Sequence, residues 1–207
     1  MSLRAALADG LETLRLSVPD AAQTKLLAYI ALIEKWNRVY NLTAIREPEK
    51  MLSHHVLDSL AVAPHLAGGT VLDVGSGAGL PGIPLAIARP ELAVTLLEAN
   101  HKKAAFMKQA LIELGLSEVE IAAERVEAWS ASRQFDVVIS RAFSDLAEFV
   151  TLAARHCSDN GTLAAMKGVY PYEELAQLPA PYEMTAVIPL TVPGLAAERH
   201  LVLMRRK

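Results

Sequence analysis

Residues 73–82 of this chain read Asp73-Val74-Gly75-Ser76-Gly77-Ala78-Gly79-Leu80-Pro81-Gly82, and an apolar run at 70–74 leads into them. Glycine allows backbone angles that other residues avoid and lets amides come close to a ligand. The first turn of a helix after such a loop offers N–H groups that have no partner within the helix. The stretch therefore predicts a loop between a first strand and a helix, and a ligand whose polar group binds that loop.

The ligand of this loop is predicted to be a nucleoside cofactor. Residues 77–82 satisfy the dinucleotide pattern G-x-G-x-x-G, and Glu98 ends the second predicted strand, where a carboxylate can accept hydrogen bonds from both ribose hydroxyls. Both features suit NAD and S-adenosylmethionine equally. Three others favour S-adenosylmethionine: Asp73 directly before the glycines, a helical segment ahead of the first strand, and a hairpin at the end of the chain. A dinucleotide domain usually continues into a separate substrate domain, for which 207 residues leave no room.

The segment before the loop, 1–66, is predicted to be an all-helical extension. Its central helix begins near Ser17-Val18-Pro19-Asp20, and helical stretches at 3–16 and 48–63 flank it. Apolar side chains recur in the central helix at three- and four-residue spacing: Leu26, Tyr29, Ile30, Ile33, Trp36 and Tyr40. We expect the last two to pack in the core rather than to stack on bases.

The remainder, 67–207, is predicted to fold as one α/β domain. Short apolar runs at 70–74, 93–97, 119–122, 137–140 and 163–166 alternate with helical segments, as in a parallel sheet covered on both faces. Two further runs, 184–190 and 199–204, have a loop with Pro193-Gly194 between them and predict an antiparallel hairpin at the sheet edge. The expected architecture is Rossmann-like, a mostly parallel seven-stranded sheet with a terminal hairpin.

Composition narrows the possible functions. The chain is 52% hydrophobic and 21% charged, and no apolar stretch resembles a membrane span or a signal peptide, which predicts a cytoplasmic protein without membrane contact. The single cysteine, Cys157, cannot form an internal disulfide or a thiolate zinc site and is expected to be buried. A net charge of -3 argues against a protein that coats nucleic acid, so any RNA contact must be local.

The glycine stretch resembles the cofactor loop of class I methyltransferases, and longer motifs narrow the resemblance. They are residues 35–43 (KWNRVYNLT), 55–59 (HVLDS), 79–85 (GLPGIPL), 139–143 (ISRAF), 167–168 (KG) and 198–202 (ERHLV). All of them resemble the bacterial 16S rRNA guanine-N7 methyltransferase family RsmG, also called GidB. The resemblance runs from the second predicted helix to the last predicted strand.

The resemblance implies a class I methyltransferase fold, S-adenosylmethionine as the cofactor and a guanine of 16S rRNA as the target. The implied partner is 16S rRNA within the small ribosomal subunit or an assembly intermediate, and the implied state is a monomer. Val126 and Glu127 are implied to lie beside the adenine, and Arg141 to reach the cofactor or the target base. The expected cofactor-binding set is Asp73, Gly75, Gly77, Gly79, Leu80, Glu98, Val126, Glu127 and Arg141.

The expected chemistry needs no general base, because guanine N7 has an in-plane lone pair and no proton. Catalysis then comes mainly from holding N7 in line with the methyl carbon and the sulfur. A guanidinium over N7 would compete with the methyl group, so Arg141 is expected to contact O6, a phosphate or the cofactor carboxylate instead. Arg141 and Lys167 are the two candidate catalytic residues.

For the basic side chains outside the loop, RNA binding competes with an ordinary structural role. Lys167, at the end of the fifth predicted strand, either binds RNA phosphate or extends its ammonium to solvent from a strand end. RNA contacts are predicted at Lys35, Arg38 and Arg199, with Asn37 as an exposed neighbour. Basic clusters of this kind are by themselves ordinary solvated faces.

His54 and Asp58 form an i,i+4 pair on a predicted helix, with His55 next to His54, and the sequence offers no third metal ligand at a suitable spacing for this pair. We therefore expect a helix-face hydrogen bond between His54 and Asp58 and no metal site. Two further functions stay open at this point. One is an NAD-dependent oxidoreductase, and the other is a module that binds S-adenosylmethionine as a sensor without turnover.

Overall fold

The N-terminal part of the computed structural model, which describes residues 2–143 and 145–207, is helical as predicted. Helix α1 (Leu3–Thr13) and helix α2 (Asp20–Tyr40) precede helix α3 (Pro48–Met51), which continues through a π-helical turn (Leu52–Leu57) into helix α4 (Asp58–Leu60). A 3-10 turn (Ala63–His65) then leads to the first strand. Among helices in the described ranges, none is both long and apolar enough to cross a membrane.

Helix α2 packs through its apolar stripe for most of its length. Trp36 is half-buried, with its ring centroid 5.8 Å from that of Phe106. The prediction of core packing is wrong for Tyr40, which is exposed and stacks on Trp36. The helix projects beyond the core there, just before it ends at Asn41 in a left-handed conformation. Four members of the stripe are fully buried: Leu26, Tyr29, Ile30 and Ile33.

A seven-stranded sheet forms the rest of the fold. Its elements in chain order are β1 (Thr70–Val74), α5 (Gly82–Ala88), β2 (Ala93–Leu97), α6 (His101–Leu114), β3 (Glu120–Ala122), β4 (Phe135–Ser140), α7 (Leu146–Ala153), β5 (Cys157–Lys167), α8 (Tyr172–Ala176), β6 (Tyr182–Pro189) and β7 (His200–Arg206). The spatial order is β3-β2-β1-β4-β5-β7-β6. Strand β7 is antiparallel to both of its neighbours, and the other pairs are parallel. The predicted α/β sheet and its terminal hairpin are confirmed.

Strand β5 begins at Cys157, well before the predicted start at residue 163. The register between β4 and β5 shifts between Phe135 and Val137, and Cys157 pairs with Phe135 ahead of that shift. The residues at 158–160 are polar, so the apolar pattern marks only the second half of the strand. Cys157 is buried, as predicted.

Alternate residues of the strands enter two separate buried layers. Val71 and Ile139 belong to the layer that the N-terminal helices cover, whereas Leu72 and Val138 pack in the layer that contains Phe149 of α7. Cover on both faces explains the continuous apolar runs of the sequence. The strand order reverses between β1 and β4, and doubly wound sheets bind ligands at the carboxyl ends of strands at such a switch point.

Candidate functional site

The glycine loop lies at the switch point, between the ends of β1, β2 and β4. Gly75, Gly77 and Gly79 have φ values of 72°, 61° and 90°, which L side chains rarely adopt. The N–H of Gly75 donates to the carbonyl oxygen of Leu97, the last residue of β2. A Cβ at Gly75 would lie 2.8 Å from the Cβ of Ala142, just after β4. Glycine at this position lets the backbone of the loop approach β4 closely.

Glu98 holds the glycine loop from the end of β2. Its Oε2 atom accepts a 2.7 Å hydrogen bond from the N–H of Gly77, and its Oε1 atom accepts one of 2.7 Å from the N–H of Asn100. Asn100 caps the start of helix α6. Because each carboxylate oxygen has a second lone pair, the buried acid can still accept hydrogen bonds from a ribose.

Asp73 is a fully buried acid at the base of the loop. Its Oδ2 atom accepts a 2.9 Å hydrogen bond from the N–H of Gly82, and its Oδ1 atom is buried without a hydrogen-bond partner among the described residues. Burial raises the pKa of the Asp73 carboxyl to about 7, although the Gly82 hydrogen bond acts in the opposite direction. An acid with such a pKa gains or loses its proton near neutral pH.

The loop fits a cationic nucleoside better than a pyrophosphate. A dinucleotide places its pyrophosphate on free N–H groups at the start of the following helix. Here the N–H of Gly82, the first residue of α5, is already bound to Asp73, and those of Gly79 and Leu80 donate to the carbonyl oxygen of Ser76. The carboxyl group of Glu98 beside the loop also favours a positive ligand. This donor set agrees with S-adenosylmethionine.

Helix α2 contributes a hydrogen bond to the loop that the sequence did not indicate. The hydroxyl of Tyr29 donates to the carbonyl oxygen of Ala78 at 2.6 Å, and the tyrosine is fully buried. In the sequence Tyr29 appears only as a member of the apolar stripe. The signal that could have suggested more is the hydroxyl itself, because a buried tyrosine usually has a hydrogen-bond partner.

Asp58 joins the two arginines of the site. Its buried carboxylate accepts a 3.0 Å hydrogen bond from Nη1 of Arg141 at one oxygen and a 3.0 Å hydrogen bond from Nε of Arg199 at the other. Arg141 also donates to the carbonyl oxygen of His54. One carboxylate for two guanidinium groups leaves one positive charge over. The structure thus brings Arg141 and Arg199 together, which the sequence had placed in different roles.

The predicted helix-face hydrogen bond between His54 and Asp58 is wrong. The carboxylate of Asp58 pairs with the arginines, while Nδ1 of His54 lies 2.8 Å from the hydroxyl of Ser53. The π-helical turn at Leu52–Leu57 changes the spacing on which the prediction relied. In the ranges 2–143 and 145–207 no three His, Cys, Asp or Glu side chains are grouped as metal ligands.

Lys167 lies at the carboxyl end of β5 and is largely buried. Its ammonium group pairs with the carboxylate of Glu174 on α8 at 2.8 Å. Glu174 also accepts a 2.8 Å hydrogen bond from the N–H of Leu146, at the start of α7. Lys167 therefore connects β5 with α8 at the edge of the sheet where the glycine loop also lies.

The predicted RNA-contacting residues of helix α2 differ in exposure. Lys35 and Arg38 are exposed, and Arg38 pairs with Glu34 at 3.0 Å. The expectation that Asn37 is exposed is wrong, because its side chain is buried and binds the chain that follows the helix. Its amide donates to the carbonyl oxygen of Ile45 and accepts from the N–H of Thr43.

The predicted adenine-side residues lie in the loop after β3. Val126 is half-buried against the layer that contains Phe149, and Glu127 is exposed. The guanidinium of Arg155 donates to the carbonyl oxygens of Val126 and Trp129 and so fixes the course of this loop. Sequence reasoning did not identify Arg155, which has no motif around it.

Comparison with known sequences gives one consistent family. A family model described as rRNA small subunit methyltransferase G matches residues 22–202. The ribosomal RNA small subunit methyltransferase G of Nitrosospira multiformis is 60% identical over an alignment of 207 positions, which covers 97% of this chain and 96% of that protein. The protein of the same name from Laribacter hongkongensis is 57% identical, with 98% of each chain covered.

Comparison with solved structures concerns the fold. The glycopeptide N-methyltransferase MtfA complexed with S-adenosyl-L-homocysteine superposes with a TM-score of 0.64 at 12% identity, covering 74% of this chain and 87% of that chain. TrmN from Thermus thermophilus gives a TM-score of 0.56 at 16% identity and covers 72% of this chain, which spans 47% of TrmN. Both similarities agree with the class I methyltransferase architecture expected from the sequence.

Proposed function

The chain belongs to the rRNA small subunit methyltransferase G family, whose cofactor is S-adenosylmethionine, and from this premise we propose that it methylates N7 of a guanine in 16S ribosomal RNA. The observation that carries the proposal is the glycine loop at the switch point, bordered by the carboxyl groups of Asp73 and Glu98 and adjoining the end of β4. When bound there, the cofactor supplies a methyl group on a positively charged sulfur.

The residues that we assign to the cofactor surround this loop. The glycines present backbone rather than side chains, so a ligand can approach the loop closely. Glu98 has lone pairs left for ribose hydroxyls, and the exchangeable proton of Asp73 allows that acid to adjust to a cationic neighbour. The full assignment is Asp73, Gly75, Gly77, Gly79, Leu80, Glu98, Val126, Glu127 and Arg141.

Positioning is the main catalytic task that this site must perform. Guanine N7 attacks with a lone pair and loses no proton, so no side chain has to act as a base. Holding a nucleophile in line at near-attack distance contributes several kcal/mol, roughly 7–11 in the best intramolecular cases. The site accordingly needs groups that orient the base, and we assign that role to Arg141 and Lys167.

Arg141 is suited to orienting the base without blocking N7. Asp58 and the carbonyl oxygen of His54 fix one end of its guanidinium and neutralise part of its charge. A planar donor group held in this way can contact O6, a phosphate or the cofactor carboxylate. Lys167 lies two strands from β1 on the same sheet edge, where its ion pair with Glu174 would have to open before its ammonium binds an RNA phosphate.

RNA docking is proposed to use a limited basic surface. Lys35, Arg38 and Arg199 are the assigned contacts, and the net charge of -3 means that such a surface must be local. We propose that the partner is 16S rRNA within the small ribosomal subunit or an assembly intermediate, and that the protein acts as a cytoplasmic monomer. Residues 1–66 are proposed as a helical extension that covers one face of a methyltransferase domain at 67–207.

The decisive experiment is methyl transfer from labelled S-adenosylmethionine to purified small ribosomal subunits and to rRNA stripped of protein. Nucleosides from the product are separated by liquid chromatography and identified by mass spectrometry. We expect N7-methylguanosine to be the labelled nucleoside, and the two transfer rates to show whether the subunit or the stripped rRNA is the substrate. Methylation of another atom, or equal slow transfer to random RNA of the same length, would remove the assignment.

Ligand titration tests the two functions that the sequence left open. S-adenosylhomocysteine should raise the melting temperature, whereas NAD should not. Stabilisation by NAD alone would favour an oxidoreductase. Binding of S-adenosylhomocysteine without turnover on either RNA substrate would favour a sensor.

A further inference from the structure

A cavity with aromatic walls opens beside Arg199, outside the cofactor loop. It has a volume of about 480 Å³, and its walls include Tyr170, Tyr172, Glu198, Arg199 and His200. The ring centroids of the two tyrosines are 4.3 Å apart, and Tyr170 meets the ring of His200 edge to face at 5.5 Å. Tyr172 nonetheless remains 76% exposed, so most of its ring surface is free to contact a ligand.

The segment that carries the two tyrosines is fixed to the rest of the fold. Glu174, in the same short helix as Tyr172, binds both Lys167 and the N–H of Leu146. Nδ1 of His200 lies 2.9 Å from the carbonyl oxygen of Gly168, where the segment leaves β5. An exposed aromatic ring on a fixed backbone loses less entropy when a ligand stacks on it.

The cavity lies on the same edge of the sheet as the cofactor loop. Neighbouring strands are about 4.8 Å apart, so His200 at the start of β7, in the wall of the cavity, is roughly 14 Å from the end of β1. A continuous series of contacts crosses this distance, from Gly75 to Ala142, next to Arg141, and from Arg141 through Asp58 to Arg199. An RNA strand whose target base enters between Arg141 and the loop would reach Tyr172 if it continued along this edge of the sheet.

The cavity walls carry the groups that recognise an unpaired nucleotide. Tyr172 offers a flat ring for a base, and base stacking on aromatic residues is the usual way in which proteins hold single-stranded RNA. Arg199 contributes a guanidinium for a phosphate, because the single carboxylate of Asp58 leaves one positive charge on the arginine pair. The exposed carboxylate of Glu198 can accept a hydrogen bond from an amino group at a base edge.

We propose that this cavity binds an unpaired nucleotide adjacent in the RNA to the methylated guanine, with its base stacked on Tyr172. The inference rests on the proposed function, because it requires RNA as the substrate. It adds a contact that fixes the target base indirectly: a neighbouring nucleotide held at Tyr172 sets the position of the RNA backbone at the methylation site.

The test compares three variants of the full-length enzyme on purified small ribosomal subunits. Tyr172→Ala removes the ring and should raise the KM for the subunit about fivefold or more, since stacking of one base contributes roughly 1–3 kcal/mol. Tyr172→Trp keeps a flat ring and should leave that KM near the wild-type value. The matched control is Ile112→Ala, a side chain that is 75% exposed near the far end of helix α6, and it should change nothing.

Measurement of the KM for S-adenosylmethionine separates substrate binding from general damage. It should be the same in all four proteins, because the walls of the cavity include no residue of the cofactor loop. An unchanged subunit KM in Tyr172→Ala would overturn the inference, and so would an equal rise in Tyr172→Trp or in Ile112→Ala. A parallel rise in the cofactor KM would do the same, because it would indicate a structural effect.

Failure of the inference is distinguishable from failure of the proposed function. If the wild-type enzyme transfers no methyl group to rRNA, the proposed function falls. If the wild-type enzyme is active and Tyr172→Ala has the same KM for the subunit and for S-adenosylmethionine, only the proposed nucleotide site is wrong.

Discussion

The hydroxyl of Tyr29 donates a 2.6 Å hydrogen bond to the carbonyl oxygen of Ala78, across 49 positions of the sequence. This contact makes helix α2 part of the wall that supports the glycine loop. Burial raises the pKa of the Tyr29 phenol well above its usual value, so the hydroxyl keeps its proton and remains a donor. The conformation of the loop thus depends on a residue far from it in the chain.

Tyr29→Phe tests this dependence, because it removes the hydroxyl and keeps the ring. The buried carbonyl of Ala78 loses its partner, and an unsatisfied buried polar group costs about 1–3 kcal/mol of unfolding free energy. Chemical denaturation should show this loss, and calorimetry should show weaker binding of S-adenosylhomocysteine. The control is Tyr40→Phe, which removes a hydroxyl from an exposed ring of the same helix. Equal stability of the two variants would contradict the role of Tyr29.

Gly75→Ala should weaken cofactor binding, and another glycine of the chain provides a matched control. The φ of 72° costs roughly 1–2 kcal/mol for a residue with a Cβ, and that atom would lie 2.8 Å from the Cβ of Ala142. If the loop shifts to relieve the contact, affinity for S-adenosylhomocysteine should fall about tenfold or more, which corresponds to 1.4 kcal/mol. Gly68→Ala introduces a Cβ with no atom within 4 Å and should bind normally. Equal affinities would show that the loop tolerates a side chain at this position.

The elements of the fold were predictable because their signals are local. The glycine loop, the strands that flank it and helix α2 each show their periodicity within one stretch of sequence. The partners of Asp58 were not predictable, because Arg141 and Arg199 are 83 and 141 positions away. Local spacing suggested His54 as the hydrogen-bond partner of Asp58. The π-helical turn changes that spacing, and no periodicity in the sequence indicates such a turn.

The exposure of individual side chains on helix α2 also could not be predicted from the sequence. Asn37 stands among charged neighbours on helix α2, and polarity alone suggested a solvated side chain. Its amide instead donates to the carbonyl oxygen of Ile45 and accepts from the N–H of Thr43, two residues that lie outside the helices and strands. The opposite error concerns Tyr40, whose apolar ring continues the stripe although the core ends before it. The first error arises because the partners of Asn37 lie outside the helix, and the second because the core ends before Tyr40, which stacks on Trp36 of the same helix.

Asp58→Ala should destabilise the protein more than the loss of an exposed ion pair with the same geometry. The variant leaves two guanidinium groups without their carboxylate, and breaking a buried pair costs roughly 3–5 kcal/mol. The loss of unfolding free energy should stay at or below that range. About a quarter of each arginine side chain remains exposed, so water can solvate part of the unpaired charge. Glu34→Ala breaks the exposed pair with Arg38, also at 3.0 Å, and should cost about 0.5 kcal/mol or less. Equal losses in urea denaturation would mean that burial of Asp58 contributes nothing.

Asp73 should make the protein less stable as the pH rises from about 4 to about 7. Its pKa is raised by burial from 3.8 to about 7 in the folded protein. Between these values the unfolded chain has lost the proton and the folded protein still holds it, so folding takes up a proton. Stability from this group is therefore complete below the lower value and declines until the pH passes the upper one. With 1.36 kcal/mol per pKa unit, the decline amounts to about 4 kcal/mol.

Asp73→Asn isolates this effect, because the amide oxygen can still accept the hydrogen bond from Gly82 and does not ionise. Other groups titrate equally in both proteins, so the difference in unfolding free energy between variant and wild type reports Asp73 alone. That difference should shift in favour of the variant as the pH rises from 4 to 7, and it should stay constant above about 8. Urea denaturation at intervals of one pH unit gives the curve. Parallel curves for the two proteins over this range would mean that the buried carboxyl ionises as readily as it does in the unfolded chain.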